Sequence, residues 1–158
     1  MYTKAFEIRW SDLDANLHLG NSSYIDFMSH TRMAFFEEFG ITLNTMVELN
    51  LGPVVLFENI YYLKEVTPGS RIKVSLEIIG RSLDYRFIRI AHNFYDEAGR
   101  HLANSEMLFT WINRETRRLA VLPETFVKKI MRFPDIDTCA ILTSEILSGY
   151  RKHPKDLE

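Results

Sequence analysis

Between Arg9 and Tyr24 the chain reads Arg-Trp-Ser-Asp-Leu-Asp-Ala-Asn-Leu-His-Leu-Gly-Asn-Ser-Ser-Tyr. Two carboxylates (Asp12, Asp14), an imidazole (His18), a carboxamide (Asn21) and a phenol (Tyr24) share this one stretch. A carboxylate can act as a nucleophile or take a proton from water, and an imidazole can carry a proton. Taken singly, each residue also has a plain structural role. Asp in a loop hydrogen-bonds its own backbone two residues on, and Asn21 suits a helix N-cap. A single histidine such as His18 is more often a surface group than a catalyst. The combination Asp14-x3-His18-x2-Asn21-x2-Tyr24 is more specific than any of its parts. Competing chemistries lack their parts. Ser22 and Ser23 have no G-x-S-x-G around them, and helix capping accounts for both. Cys139, the single cysteine, has no histidine near it. No H-x3-H or C-x2-C offers a metal clip. The seven glycines form no phosphate-cradling G-x-G-x-x-G.

Such a stretch needs elements on both sides to hold it. Residues 5–10 alternate, with Phe6, Ile8 and Trp10 on one face, which predicts a half-buried strand. Ser11–Asn16 reads as a polar turn. A helix is expected from about Ser23 to Phe39, stopping at Gly40, with Ser23 and Asp26 as a capping box. Its apolar residues, from Tyr24 and Phe27 to Phe36 and Phe39, are too many for a narrow stripe, so the helix must be covered by other structure. Strands follow over Val54–Phe57 and Ile60–Leu63 (one long, bent strand), Ile72–Ile78, Tyr85–Phe94 and Ala103–Asn113. Pro68-Gly69 and Asp96–Gly99 supply turns. A short helix around Glu124–Arg132 ends before Pro134, and the remaining tail is weakly helical. One long helix against an antiparallel sheet is an α+β arrangement. Open sheet edges invite pairing with a second copy.

Asp12 and Asp14, then His18-x-x-Asn21-x-x-Tyr24, then Thr31-Arg32 inside the helix, resemble the hotdog-fold thioesterases of the 4-hydroxybenzoyl-CoA thioesterase type. Their first strand ends in a D-x-D-x-x-G-H-x-N-N-x-x-Y-like segment and leads into a helix bearing Ala-Arg. The resemblance spans residues 4–132. This chain departs from the pattern at Leu17, where a glycine often precedes the histidine, and at Gly20, where the first of two asparagines stands. Glu65 replaces a proline after the second strand. These changes bear on the loop's shape and the choice of substrate rather than on Asp14.

The resemblance implies a hotdog domain over residues 1–133, a long helix wrapped by a five-stranded, mainly antiparallel sheet. Residues 134–158 form a tail that packs on the domain or on a partner subunit. It implies hydrolysis of an acyl-CoA to a free acid and CoA, with Asp14 as the catalytic carboxylate, either attacking the carbonyl or activating water. Asn21 would orient the carbonyl or the water, and His18 would shape the loop or move a proton. A thioester carbonyl also needs a place for negative charge. The first N–H groups of a helix have no intrahelical acceptor and sit at its positive end, so the amides of Asn21, Ser22 and Ser23 are the expected oxyanion hole. Some of Tyr24, Phe27, Met28, Phe57 and Tyr61 are expected to line the acyl slot. CoA enters only as part of the substrate; no cofactor or metal is expected. An acyl-carrier-protein thioesterase and a non-catalytic acyl-thioester-binding protein are the alternatives.

Composition fits this reading. In 158 residues, 46% are hydrophobic and 25% charged, as in ordinary globular domains. The net charge of −2 gives no basic excess for nucleic acid. No run reaches the ~18 apolar residues of a membrane span. One cysteine fits a reducing cytoplasm. A homodimer or homotetramer is expected.

Overall fold

The computed structural model describes residues 1–157. The chain begins with β1 (Tyr2–Glu7), a single 3₁₀ turn at Trp10–Asp12, and helix α1 (Asn21–Glu38). Helix α2 (Leu43–Glu48) leads into β2 (Leu51–Tyr62), β3 (Arg71–Arg81), β4 (Phe87–Asp96) and β5 (His101–Asn113). Helix α3 (Glu124–Ile130), the short β6 (Ala140–Ile141) and α4 (Ser144–Gly149) complete it. The sheet runs β1-β3-β4-β5-β2, and all pairings along this path are antiparallel. This is the hotdog arrangement, an α+β fold in which a sheet curls along one long helix.

Alternation decides which side chains meet α1. Ile72, Val74, Leu76 and Ile78 of β3, with Ile88, Ile90 and Phe94 of β4, are buried beneath it. From the helix, Tyr24, Phe27, Met28, Thr31 and Phe35 point inward at i, i+3 and i+4 spacing. Burying each such side chain contributes ~1.5–3 kcal/mol relative to exposure. The sheet covers this stripe, while Ile25, Asp26, His30 and Glu37 on the far side stay exposed. At the other end Phe35, Phe36, Trp111, Phe126 and Phe133 form an aromatic cluster that seats α3.

Three local expectations need correction. Helix α1 starts at Asn21, with Gly20 as N-cap, not at Ser23. The Ser23 hydroxyl instead donates to the Asp12 carbonyl at 2.8 Å, so no Ser23–Asp26 capping box forms. Helix α2, which the sequence reading omitted, is capped by Thr42, whose side chain accepts from Thr45 N at 3.2 Å. The tail docks through more than a helix: β6 pairs in parallel with the end of β3, and Tyr150 stacks on Phe57 with ring centroids 4.6 Å apart. No helix among the described residues is long and apolar enough to cross a membrane.

Candidate active site

The link between β1 and α1 is tied down at nearly every step. Asp14 N donates to His18 O (2.8 Å), Leu17 N to Asp14 O (3.1 Å) and Gly20 N to Asp12 O (2.9 Å). Leu19 N donates to Val66 O at 2.9 Å, fastening the link to the chain between β2 and β3. Leu17 takes φ 59°, a left-handed conformation that favours glycine. The resembled pattern often has glycine there; here a leucine takes that conformation at the cost of strain.

The two aspartates have different surroundings. Asp12 is buried and grips Arg9: its Oδ2 accepts from Arg9 N (2.8 Å) and its Oδ1 from Arg9 Nη2 (2.9 Å). The side-chain hydrogen bond from Arg9 is the main cause holding the Asp12 carboxyl below the usual range. Asp12 therefore secures the turn. Asp14 Oδ1 accepts from the amides of Asn16 (2.8 Å) and His18 (3.2 Å). This is the turn bonding expected of a loop aspartate. It fixes the carboxylate while Oδ2 takes no protein hydrogen bond among the described residues. The backbone of Asp14 lies against the helix start. A Cβ placed on Gly20 would sit 3.7 Å from Asp14 N and 3.8 Å from Asp14 Cβ.

Asp14, His18, Asn21 and Tyr24 line one shallow, open cavity of about 310 Å³, together with Tyr62 and Lys64, and both Asp14 and Asn21 are exposed in it. His18 Nε2 lies 3.1 Å from Glu65 Oε2, so the histidine is paired with the chain between β2 and β3. Burial, reinforced by Tyr62 and Asp14, pushes the Tyr24 hydroxyl up to about 12. It stays protonated at neutral pH and can donate a hydrogen bond. Of the proposed oxyanion amides, Ser23 N already donates to Gly20 O at 3.0 Å. Asn21 and Ser22 stand at the first two helical positions, where no intrahelical acceptor exists.

The expected acyl-slot residues divide between two faces. Tyr24, Phe27 and Met28 lie on the sheet-facing side of α1. Phe57 and Tyr61 do not join them. Phe57 is paired with Leu108 and lies under Tyr150 on the outer face, lining a separate groove of about 870 Å³ below α4. Tyr61 shares Phe57's side of β2 and is exposed. The residues that face α1 are Glu58, Ile60 and Tyr62, and Tyr62 packs edge-on to Tyr24 at 5.0 Å. The reason is strand parity: a shift of one residue reverses the face. Both faces of β2 carry bulky groups, so alternation in the sequence did not declare which was inward. Farther along the same side of α1, Arg32 reaches Glu58 at 3.3 Å and the Met107 sulfur at 3.0 Å. Among the described residues no cluster of His, Cys, Asp or Glu could hold a metal ion.

The thioesterase-like superfamily profile matches residues 8–130, which include the whole loop, α1 and the main sheet. The chain belongs to the thioesterase-like superfamily. Its activity class is thioester hydrolysis. Among solved structures it is similar to the Staphylococcus aureus protein SAV2348, crystallised in complex with CoA. That likeness has a TM-score of 0.77 at 24% identity, covering 99% of this chain and 94% of that one. The 1,4-dihydroxy-2-naphthoyl-CoA thioesterase Slr0204 from Synechocystis aligns with TM-score 0.73 at 14% identity, over 84% of this chain and 96% of that one. At these identities the two structures establish the shared fold. No curated protein matches the sequence.

Proposed function

We propose that this thioesterase hydrolyses acyl-CoA to a free carboxylic acid and CoA at the Asp14 cavity. The observation that carries the reading is a carboxylate anchored by two backbone amides through one oxygen, in a cavity shared with Asn21 at the start of α1. The amides of Asn21 and Ser22 supply the oxyanion hole. Losing one such donor typically costs ~100–1,000-fold in rate. Two routes use the same groups. In one, Asp14 attacks the carbonyl carbon, the C–S bond breaks, CoA leaves as thiolate, and water hydrolyses the mixed anhydride. In the other, Asp14 takes a proton from water as its oxygen attacks the carbonyl, and the same C–S bond breaks. The Asn21 side chain orients the carbonyl or the water. His18, paired with Glu65, shapes the loop.

CoA is favoured over a carrier protein because the similar SAV2348 was crystallised with CoA. We place the assembly as a homo-oligomer built on β2. This strand ends the sheet, so its outer edge has no strand partner in the chain, and Val55 and Leu56 are exposed there.

Thiol release from a panel of acyl-CoAs and acyl carrier proteins tests the reading. Activity on CoA substrates is expected, falling at least ~100-fold in Asp14→Asn while the circular dichroism spectrum is unchanged. A well-folded Asp14→Asn protein with full activity would remove Asp14 from the mechanism. Release from carrier substrates alone would reassign the substrate, and no release from either would favour the binding-protein alternative.

A further inference from the structure

Beneath α1 the sheet presents side chains in rows, because paired residues on neighbouring strands share a face. Tyr62, Ala103 and Phe94 form one row. It lies under Tyr24, whose ring is 5.0 Å from both Tyr62 and Phe94. This row borders the Asp14 cavity, which Tyr24 and Tyr62 line. The next row is Ile60, Ser105 and His92, and the one after it Glu58, Met107 and Ile90. Rows are ~6.6 Å apart. Tyr24, Met28 and Arg32 are ~6 Å apart along the helix. Met28 therefore falls over the middle row.

The middle row differs from its neighbours. His92 and Ser105 are both 0% exposed. Yet His92 Nε2 and Ser105 Oγ have no hydrogen-bond partner, and they do not bond each other. A buried polar atom left unpaired costs ~1–3 kcal/mol, so native structures rarely tolerate two side by side. The tautomer of His92 follows from its other nitrogen. Nδ1 lies 2.7 Å from the Ser75 carbonyl oxygen. A carbonyl only accepts, so Nδ1 carries the proton and Nε2 is a bare acceptor. The pair thus offers one acceptor beside a hydroxyl that can donate. A single hydroxyl group between them satisfies both, donating to Nε2 and accepting from Ser105. A ketone would leave Nε2 unmet, and a methylene would leave both.

We propose that His92 and Ser105 recognise a hydroxyl on the acyl chain, making hydroxyacyl thioesters the preferred substrate class. The inference rests on the thioesterase reading of the Asp14 cavity. The middle row lies roughly 9–10 Å along the helix from the first α1 amides, about the reach of a six-bond extended chain plus one hydrogen bond. Met28 is buried over this row, and its unbranched thioether repacks more readily around a chain than a branched side chain would.

The test compares kcat/KM of the full-length protein for 5- and 6-hydroxyhexanoyl-CoA with that for heptanoyl-CoA, which has a methyl group in place of the terminal hydroxyl. At least one hydroxylated probe is expected to be favoured by roughly tenfold or more, the worth of a good hydrogen bond. Ser105→Ala and His92→Leu should bring the ratio towards one while heptanoyl-CoA turnover is kept. Should His92→Leu fail to fold, Ser105→Ala, which removes one oxygen, carries the test. Heptanoyl-CoA cleaved as fast as both hydroxylated probes, or a preference unchanged in Ser105→Ala, would overturn the inference and leave the thioesterase reading standing. No thiol release from any of the three would remove both.

Discussion

Asp12 and Asp14 are two positions apart, and packing gives them different work. Asp12, buried, spends both oxygens on Arg9, while Asp14, exposed, uses one on backbone amides and keeps the other free. Leu17 shows what that loop costs. Left-handed φ in an L-residue costs ~1–2 kcal/mol, partly offset against glycine's greater chain entropy. Leu17→Gly is expected to hold or raise stability by up to ~1 kcal/mol, whereas Leu17→Val should lower it, both read from thermal midpoints. His92 sets a pH dependence. Burial is the main cause lowering it from 6.5 to about 3. Between those values the unfolded chain binds a proton that the folded chain refuses. Stability is therefore complete above pH ~6.5 and falls as pH drops towards ~3, by up to ~1.4 kcal/mol per pH unit. Urea midpoints of the wild type should drop between pH 7 and 4.5 by more than those of His92→Leu; parallel curves would contradict this.

Among the elements, α1 and β2 meet through Tyr24 with Tyr62 and Arg32 with Glu58, and the tail packs on the opposite face. The tail's hold depends on Gly80, where an added Cβ would meet Leu142 Cδ2 at 3.0 Å and Cγ at 3.3 Å. Gly80→Val should unseat β6 and α4 while leaving the main sheet folded. Limited proteolysis would show faster cutting after Pro134, and an unchanged pattern would argue that the tail docks elsewhere. The strands were readable from period-2 alternation in β1 and β3 and from apolar runs between turn residues elsewhere, which named all five of the main sheet to within a few residues. Two features were not. Helix α2 has only six residues, too few for a periodic stripe to stand out. The face of β2 depended on pairing with β5 and a register shift between Val55 and Phe57, neither visible in one strand's sequence.

For the whole molecule, the exposed edge of β2 makes association the expected state. Sedimentation should give a multiple of the 18.5 kDa chain mass. Leu56→Lys, which puts a charge on that edge, should shift it towards the monomer; an unmoved mass would place the interface elsewhere. The sequence by itself determined the order of the five main strands with α1 and α3, and the grouping of Asp14, His18, Asn21 and Tyr24, because these follow from local periodicity and short spacing. It also carried the departures at Leu17, Gly20 and Glu65. Tertiary structure alone decided that Tyr62 rather than Tyr61 meets Tyr24, that Ser23's amide is already engaged, and that His92 and Ser105 share one buried row. Those outcomes depend on which strands pair and in what register, and long-range pairing is a property of the packed chain rather than of any one segment.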